Sequence, residues 1–391
     1  MKVAVVGQGY VGLPLAIAAA ESGYEVVGID TNESLVATLS KGISTIGDIS
    51  DTEVAKVISS NKYTATTDFS EISTAEIVVV CVPTPLDSDR RPDLSFVESA
   101  FKEIARHLSD GALIINESTV APGTTRSLIA RILETSGKSF DLAYSPERID
   151  PANKTWNVRN TPKLVAGLTD KATERAMKFY GAFVETLTPG TSIEVIETAK
   201  LLENSFRLIN ISFINEIAQF CNTLGIDARE VIEAAATKPY GFMPFYPSAG
   251  VGGHCIPVDP MYLADKAKEI GTPSKFIELA AEVNQGLPQY FTKIASNLIG
   301  GLADKKILLV GLAYKPGVAD TRESPALDLI KVLRESGAIV SWHDDLVVHW
   351  NNENSTAISD QYDLAILVNP HPHCDLTLLG QTPVLNTRGG N

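Results

Sequence analysis

Met1-Lys2-Val3-Ala4-Val5-Val6-Gly7-Gln8-Gly9-Tyr10-Val11-Gly12 opens the chain, and Asp30 stands just after the next apolar run, Glu25 to Ile29. Residues 2 to 6 read as a short strand, the stretch through Glu21 has helical spacing, and the second run reads as another strand, so the segment is a βαβ unit. Gly7, Gly9 and Gly12 fill the glycine positions of G-x-G-x-x-G, with Tyr10 and Val11 between the last two. Their tasks differ: a tight turn, close approach of the backbone to a pyrophosphate, and packing of helix on strand. The start of the helix then offers amide groups and partial positive charge to phosphates. The Asp30 carboxylate can accept hydrogen bonds from ribose hydroxyls and repels a 2′-phosphate, so the expected cofactor is NAD and not NADP.

Outward from this unit, apolar runs recur at Glu76 to Val82 and Ala112 to Asn116, and more weakly at Leu164 to Ala166, with helical segments between them. Such alternation implies a parallel sheet covered on both faces. Thr84, in Val82-Pro83-Thr84-Pro85, follows one of these strands at the end where ligands meet a doubly wound sheet. After Pro189 a helical pattern runs from Ile193 to Leu224 and stops at Gly225, a suitable C-terminal cap. At Lys305 the opening returns: Lys-Lys-Ile-Leu-Leu-Val-Gly311 echoes Met-Lys-Val-Ala-Val-Val-Gly7, and Glu335-Ser336-Gly337 precedes Asp344 as Glu21-Ser22-Gly23 precedes Asp30. The second unit lacks the close-approach glycines and reads as a nucleotide-binding-like domain used for something other than NAD. The expected fold is α/β: two Rossmann-like doubly wound domains joined by a central all-helical segment with a long helix. The expected boundaries are 1–190, 191–295 and 296–391. The length of the central helix suits it to pack against a second subunit, which makes a homodimer the expected assembly.

The composition narrows the class. With 44% hydrophobic and 20% charged residues among 391, the chain can build sizeable cores and is not disordered. No apolar run is long enough to span a bilayer, and the N-terminus lacks the layout of a secretion signal, so a cytoplasmic protein is expected. The net charge of −14 argues against nucleic-acid and anionic-membrane partners, and an anionic substrate would need a local cluster of cations. Cys81, Cys221, Cys255 and Cys374 are scattered without paired ligand spacing, so neither a disulfide framework nor a metal site is expected. Cys81 and Cys221 read as packing residues. Cys374, in His371-Pro372-His373-Cys374, reads as part of a surface loop without a second ligand cluster.

Cys255 differs. In Gly250-Val251-Gly252-Gly253-His254-Cys255-Ile256-Pro257-Val258-Asp259-Pro260 the glycines allow backbone amides close to a ligand, and Asp259-Pro260 reads as a helix cap followed by the first helical residue. A thiolate just before a helix start is stabilised, which suits a nucleophile. On the long helix Lys200, Asn204 and Arg207 fall at i, i+4 and i+7 and share a face able to hold an anionic or polyhydroxylated ligand.

Together these residues resemble the nucleotide-sugar dehydrogenases that oxidise a C6 alcohol to a carboxylate, the UDP-glucose and UDP-N-acetylhexosamine 6-dehydrogenase family. The resemblance covers essentially the whole chain. It rests on Gly-Gln-Gly-Tyr-Val-Gly12, Val-Pro-Thr84-Pro, Glu-Ser-Thr119-Val, Ser-Pro-Glu147-Arg148, Lys200-Leu-Leu-Glu-Asn204, Gly-Gly-His-Cys255-Ile-Pro-Val-Asp259, and Gly311-Leu-Ala-Tyr-Lys315 through Asp320-Thr-Arg322-Glu-Ser. It implies a four-electron oxidation with two NAD per sugar, in which Cys255 forms a thiohemiacetal and then a thioester. It also implies that Lys200 and Asn204 stabilise the oxyanion at C6 and that Asp259 and Glu147 order or activate water, with Thr119 helping to hold it beside the cofactor. Glu147, Arg148, Ile149, Lys200, Asn204, Arg207, Gly252, Lys315 and Arg322 would line the UDP-sugar site. For Arg322 an ion pair with Asp320 or Glu323 is the competing reading.

The loop Lys238-Pro-Tyr-Gly-Phe-Met-Pro-Phe-Tyr-Pro-Ser248, with His254, resembles the N-acetylhexosamine branch, and no arginine occurs between Lys238 and Cys255. These features favour UDP-N-acetylglucosamine or its galacto epimer as substrate. UDP-glucose and UDP-N-acetylmannosamine are the alternatives, followed by a two-electron hydroxyacid oxidation or an NAD-binding protein without catalysis.

Overall fold

The computed structural model describes residues 1–150 and 153–389, which form two compact units, Met1–Leu202 and Glu203–Asn391. The first is built on strands β1 (Lys2–Val6), β2 (Glu25–Ile29), β3 (Tyr63–Thr66), β4 (Ile77–Val80), β5 (Ala112–Asn116), β6 (Phe140–Tyr144), β7 (Lys163–Gly167) and β8 (Leu187–Pro189). They lie in one sheet in the order β3-β2-β1-β4-β5-β6-β7-β8. Every pairing is parallel except β6 with β7, which run antiparallel with Ala143 opposite Gly167.

Alternate residues of β1 enter different cores. Val3 and Val5 pack with Leu13, Ala16 and Ile17 of the helix Gly12–Glu21, while Ala4 and Val6 pack with Phe101 and Ile104 of the helix Ser95–His107. A strand buried on both faces has no polar alternation to show, which is why it reads as a plain apolar run. The strand order reverses between β1 and β4, so the turn after β1 and the loop after β4 flank the crevice in which such sheets hold ligands.

The long helix spans Ile193–Leu224, 32 residues, and ends where Gly225 turns to φ +72°. Helices Ala228–Ala236, Asp259–Glu269 and Lys275–Ile299 follow it. The second sheet begins with β9 (Lys306–Val310) and β10 (Ile339–His343), linked through the helix Pro325–Glu335. After them come a small antiparallel ribbon of β11 (His349–Trp350) and β12 (Glu353–Asn354), then β13 (Leu364–Leu367) and β14 (Val384–Asn386). The sheet is parallel in the order β10-β9-β13-β14.

The architecture is thus two Rossmann-like α/β sheets connected by a helical stretch, as expected. The internal echo is physical as well as textual. Gly7 and Gly311 have φ of +91° and +92°, and their amides donate to the carbonyls of Ile29 and His343, each at 2.8 Å. A Cβ would stand 2.4 Å from the Cys81 carbonyl oxygen at Gly7, and 2.4 Å from that of Asn369 at Gly311. Both turns therefore demand glycine for the same two reasons, left-handed backbone and crowding by a neighbouring strand end. Among the described residues no helix is long and apolar enough to cross a membrane.

Candidate active site

The three glycines of the opening turn divide their work as their positions suggest. Gly7 makes the turn, and a Cβ at Gly12 would lie 1.8 Å from the Gly7 carbonyl oxygen, so helix and turn touch there. A Cβ at Gly9 would meet nothing within 4 Å, which leaves that side of the backbone open to a phosphate. The helix that follows has no side-chain cap and no acidic residue in its first turn, so its positive end is not neutralised by its own sequence. Asp30 takes the amide of Gln8 on Oδ2 at 2.8 Å and that of Asn32 on Oδ1 at 2.9 Å, which orients the carboxylate beside the turn.

Gln8, an unspecified position of the motif, is fully buried. Its Nε2 donates to the carbonyls of Val5 and Gly7, and its Oε1 accepts from the Tyr63 hydroxyl. A Cβ at Gly28 would come within 2.6 Å of both the Gln8 side chain and that hydroxyl, so Gly28 makes room for this brace.

Thr84 and Thr119 sit on the loops after β4 and β5. Ser118 ties these loops together, since its hydroxyl donates to the Val82 carbonyl at 2.8 Å and accepts from the Val82 amide at 3.0 Å. Further along, the Glu197 carboxylate of the long helix accepts from the amides of Gly123 and Thr125 at 2.6 and 2.9 Å. The first unit also holds a buried charge network that joins Glu147, named from the sequence, to Glu117, Lys163 and Tyr180, which sequence reasoning did not single out. Lys163 Nζ stands 3.1 Å from Glu117 and 3.3 Å from Glu147, and the Tyr180 hydroxyl donates to Glu117. Glu147 also accepts from the amides of Arg148 and Ile149, both at 2.6 Å, while Arg148 donates to the Pro162 carbonyl.

Burial pushes Glu117 up to about 7, and the nearby Glu147 adds to this against the pull of Lys163 and Tyr180. Burial alone would lower Lys163, but the two carboxylates outweigh it and raise it above the ordinary lysine value. Two carboxylates share one ammonium here, so the surplus negative charge is relieved by keeping a proton. Besides Glu147, the sequence signal was Glu117 itself, a charge closing the apolar run of β5. Its partners lie 46 and 63 residues away.

In the second unit Cys255 is exposed, just ahead of the helix Asp259–Glu269. Its carbonyl accepts from the Asp259 amide at 2.9 Å. Asp259 does not cap that helix as expected. Val258 holds the cap position without a side-chain bond, and the Asp259 carboxylate instead accepts from Asn204 Nδ2 at 2.6 Å. Asn204, Asp259 and Lys200 are all buried, whereas Arg207, on the same helix stripe, is exposed.

The glycines before Cys255 also serve differently from the expectation. At Gly252 a Cβ would lie 2.7 Å from the Glu323 carbonyl oxygen and 2.9 Å from Tyr314, and at Gly253 it would strike the Tyr314 ring at 2.8 Å. They admit the segment that runs from Gly311 to Glu323. His254 Nε2 is 3.2 Å from Asp320, and Arg322 meets the same carboxylate at 2.7 Å. Burial would raise Asp320, but the bonds from His254 and Arg322 prevail and hold it well below the usual carboxylate range. The Arg322–Asp320 ion pair is therefore formed, with Arg322 half exposed, and Lys315 lies partly buried on the same segment.

The remaining cysteines divide. Cys221 is buried on the long helix, and Cys81 lies under the Gly7 turn with its thiol pushed up by burial. Cys374 is half-buried, and the fold sets His343 and Asp345 beside it, a neighbourhood that linear spacing did not reveal. The acid of the second βαβ unit is spent internally. Asp344 is buried and accepts from the amides of Leu312, Ala313, Leu346 and Val347, so it has no role toward a ribose like that expected of Asp30.

Residues 1–184 match the NAD binding domain, 194–286 the central domain and 308–381 the UDP binding domain of the UDP-glucose/GDP-mannose dehydrogenase family. A UDP-N-acetyl-D-mannosamine dehydrogenase of Methanococcus maripaludis is 37% identical over 350 residues, 88% of this chain and 79% of the relative. A UDP-N-acetyl-D-glucosamine 6-dehydrogenase of Pseudomonas aeruginosa is 37% identical over 365 residues, 89% of this chain and 83% of the relative. The solved structure of a UDP-N-acetyl-mannosamine dehydrogenase from Pyrococcus horikoshii is similar with a TM-score of 0.89 at 33% identity, covering 99% of this chain and 95% of that one. The chain belongs to the UDP-glucose/GDP-mannose dehydrogenase family and is an NAD-dependent oxidoreductase acting on a UDP-sugar.

Proposed function

We propose that the chain oxidises the C6 alcohol of a UDP-N-acetylhexosamine to the uronic acid in two successive steps, with Cys255 as covalent nucleophile. The observation that carries this reading is an exposed thiol one turn before a helix start, four residues ahead of a buried carboxylate, Asp259, that holds the Asn204 amide. NAD, when bound, accepts the hydride in each oxidation. Lys200 and Asn204, one turn apart on one helix face, present an ammonium and an amide donor to the oxygen at C6, where negative charge develops. The Cys255 thiolate adds to the aldehyde left by the first oxidation, the thiohemiacetal loses its hydride, and water displaces the thiol from the thioester to give the carboxylate. Asp259 and Glu147 order that water together with Thr119. Arg148, Ile149, Arg207, Gly252, Lys315 and Arg322 hold the sugar nucleotide, with the Arg322 side chain exchanging or sharing its bond to Asp320.

UDP-N-acetylmannosamine is the favoured substrate. Its support is that two of the three relatives compared carry that activity in their names, including one similar along nearly its whole length. This reverses the preference drawn from the loop before Cys255. The gluco epimer stays as the second reading, because no arginine lies between Lys238 and Cys255 and the Pseudomonas relative is named for it. The test is NADH released per sugar consumed, with initial rates on UDP-N-acetylmannosamine, UDP-N-acetylglucosamine and UDP-glucose. Two NADH per sugar with the manno substrate fastest is expected. One NADH would end the thioester route, and a preference for UDP-glucose would end the hexosamine assignment.

Asp30→Ala removes the group that would bind the ribose hydroxyls. The expected result is a KM for NAD raised about tenfold, in line with losing one charged hydrogen bond, with NADP gaining relative to NAD. An unchanged ratio of the two cofactors would remove Asp30 from the site.

The same reading includes a homodimer through the long helix. Leu202, Phe206, Phe213, Phe220 and Leu224 are exposed, and at 100° per residue they fall within about 40° of one another around the helix. An apolar stripe of this length facing water calls for a partner, and a second copy supplies the same stripe. Sedimentation is expected to show a dimer, and Phe213→Glu to shift it toward monomer; a monomeric parent at micromolar concentration would refute the assembly. A cytoplasmic location fits as well, since among the described residues no disulfide joins the four cysteines.

A further inference from the structure

The carboxyl end of the second sheet carries donor groups that the dehydrogenase chemistry does not use. His343 closes β10, Asp345 lies two residues on, and Cys374 stands in the loop after β13. Their donor atoms lie within 4.8 Å of one another. His373 adds a fourth group, its Nε2 3.6 Å from Asp345 Oδ2.

The hydrogen bonds decide which of these groups are open to a ligand. His343 Nδ1 is 2.8 Å from the Thr356 carbonyl, and a carbonyl only accepts, so this nitrogen carries the proton. The ring's Nε2 faces Asp345 Oδ1 at 3.2 Å, as a lone pair in a neutral ring and as a second donor in a charged one. Two acceptors at that distance call for positive charge between or upon them. The other carboxylate oxygen, Asp345 Oδ2, is buried and accepts no hydrogen bond. His371 is arranged the opposite way. Its Nδ1 accepts from the Gly317 amide and its Nε2 donates to the buried Asp344, so both nitrogens are used and the ring anchors the loop.

Imidazole, thiolate and carboxylate donors together suit zinc or a similar transition ion, not calcium or magnesium. Bound at about 2.0–2.3 Å in a tetrahedron, such donors stand roughly 3.3–3.8 Å apart, a modest contraction from the present spacing. The Thr356 carbonyl behind His343 is the outer partner that ligating histidines ordinarily have.

We propose that His343, Asp345 and Cys374, with the exposed His373 turning in as fourth donor, form a structural zinc-type site that pins the end of β10 to the loop after β13. The inference is independent of the substrate and of Cys255.

The test uses the full chain, stripped with chelator, dialysed and titrated with Co²⁺ alone. One equivalent is expected to bind with a thiolate-to-cobalt charge-transfer band and tetrahedral visible bands, both displaced by Zn²⁺. Cys374→Ser is expected to abolish the charge-transfer band, and Cys255→Ser to leave it intact. His373→Ala alters an exposed side chain and endangers the fold least. It is expected to weaken affinity at least as much as the roughly 10–100-fold that an outer-shell partner commands. Zn²⁺ is expected to raise the melting temperature of the parent and not that of Cys374→Ser. Absence of stoichiometric uptake would overturn the proposal and leave an imidazolium–carboxylate pair at His343 and Asp345. A band lost with Cys255→Ser and kept with Cys374→Ser would overturn it equally.

Discussion

Cys255→Ser is expected to lower steady-state NADH production by at least about 10³-fold, since loss of a covalent nucleophile removes a step that nothing else supplies. The serine hydroxyl is far less ionised than a thiol, and an oxygen ester, if it forms, hydrolyses slowly. A rapid mix should therefore show at most two NADH per active site followed by arrest, and intact-mass measurement should find the acyl adduct on that residue. Cys255→Ala can form neither adduct. It should release aldehyde after at most one NADH, which a carbonyl trap would detect. Normal turnover by either variant would sink the nucleophile assignment.

The second large effect is expected far from Cys255 in the sequence. Lys163→Met leaves Glu117 and Glu147 without their ammonium in a buried place. Removing one partner of a buried ion pair costs about 3–5 kcal/mol, which corresponds to a fall of roughly 10 °C in the melting of a unit of this size. Combining it with Glu117→Gln should restore part of the loss, because one of the two stranded carboxylates goes with it while Glu147 remains. No rescue in the double variant would show that Lys163 acts through packing and not charge. Glu117 also sets a pH signature. Its folded value of about 7 lies above the roughly 4.3 of an unfolded glutamate. Its contribution is thus fully present below that lower value and is lost as the pH rises through 7. Melting temperature should fall from pH 5 to 8 more steeply in the parent than in Glu117→Gln, and parallel slopes would contradict the buried proton.

Much of the chain was legible because local rules and tertiary structure agree in it. Gly7 and Gly12 sit where a turn and a helix contact require glycine, and the bounds of the long helix match its apolar pattern and glycine stop. Strands β3, β6, β8, β13 and β14 escaped notice. Each has five residues or fewer, and in all but β13 polar or partly exposed positions break the apolar run, so periodicity had too few residues to act on. Asp259 shows a different failure. Its place before a proline suited a cap, but the buried amide of Asn204, 55 residues away, is its actual partner.

The sequence alone was enough for the two βαβ units and the helix between them, because each depends on neighbours a few residues apart: a glycine's backbone freedom and a helix period. Tertiary structure decided where charge is neutralised. Lys163 joins Glu117 and Glu147 from a separate strand, Gly252 and Gly253 make room for Tyr314, and His343 and Asp345 meet Cys374 from another strand end. A buried charge requires a partner within a few ångströms in space, at any separation along the chain.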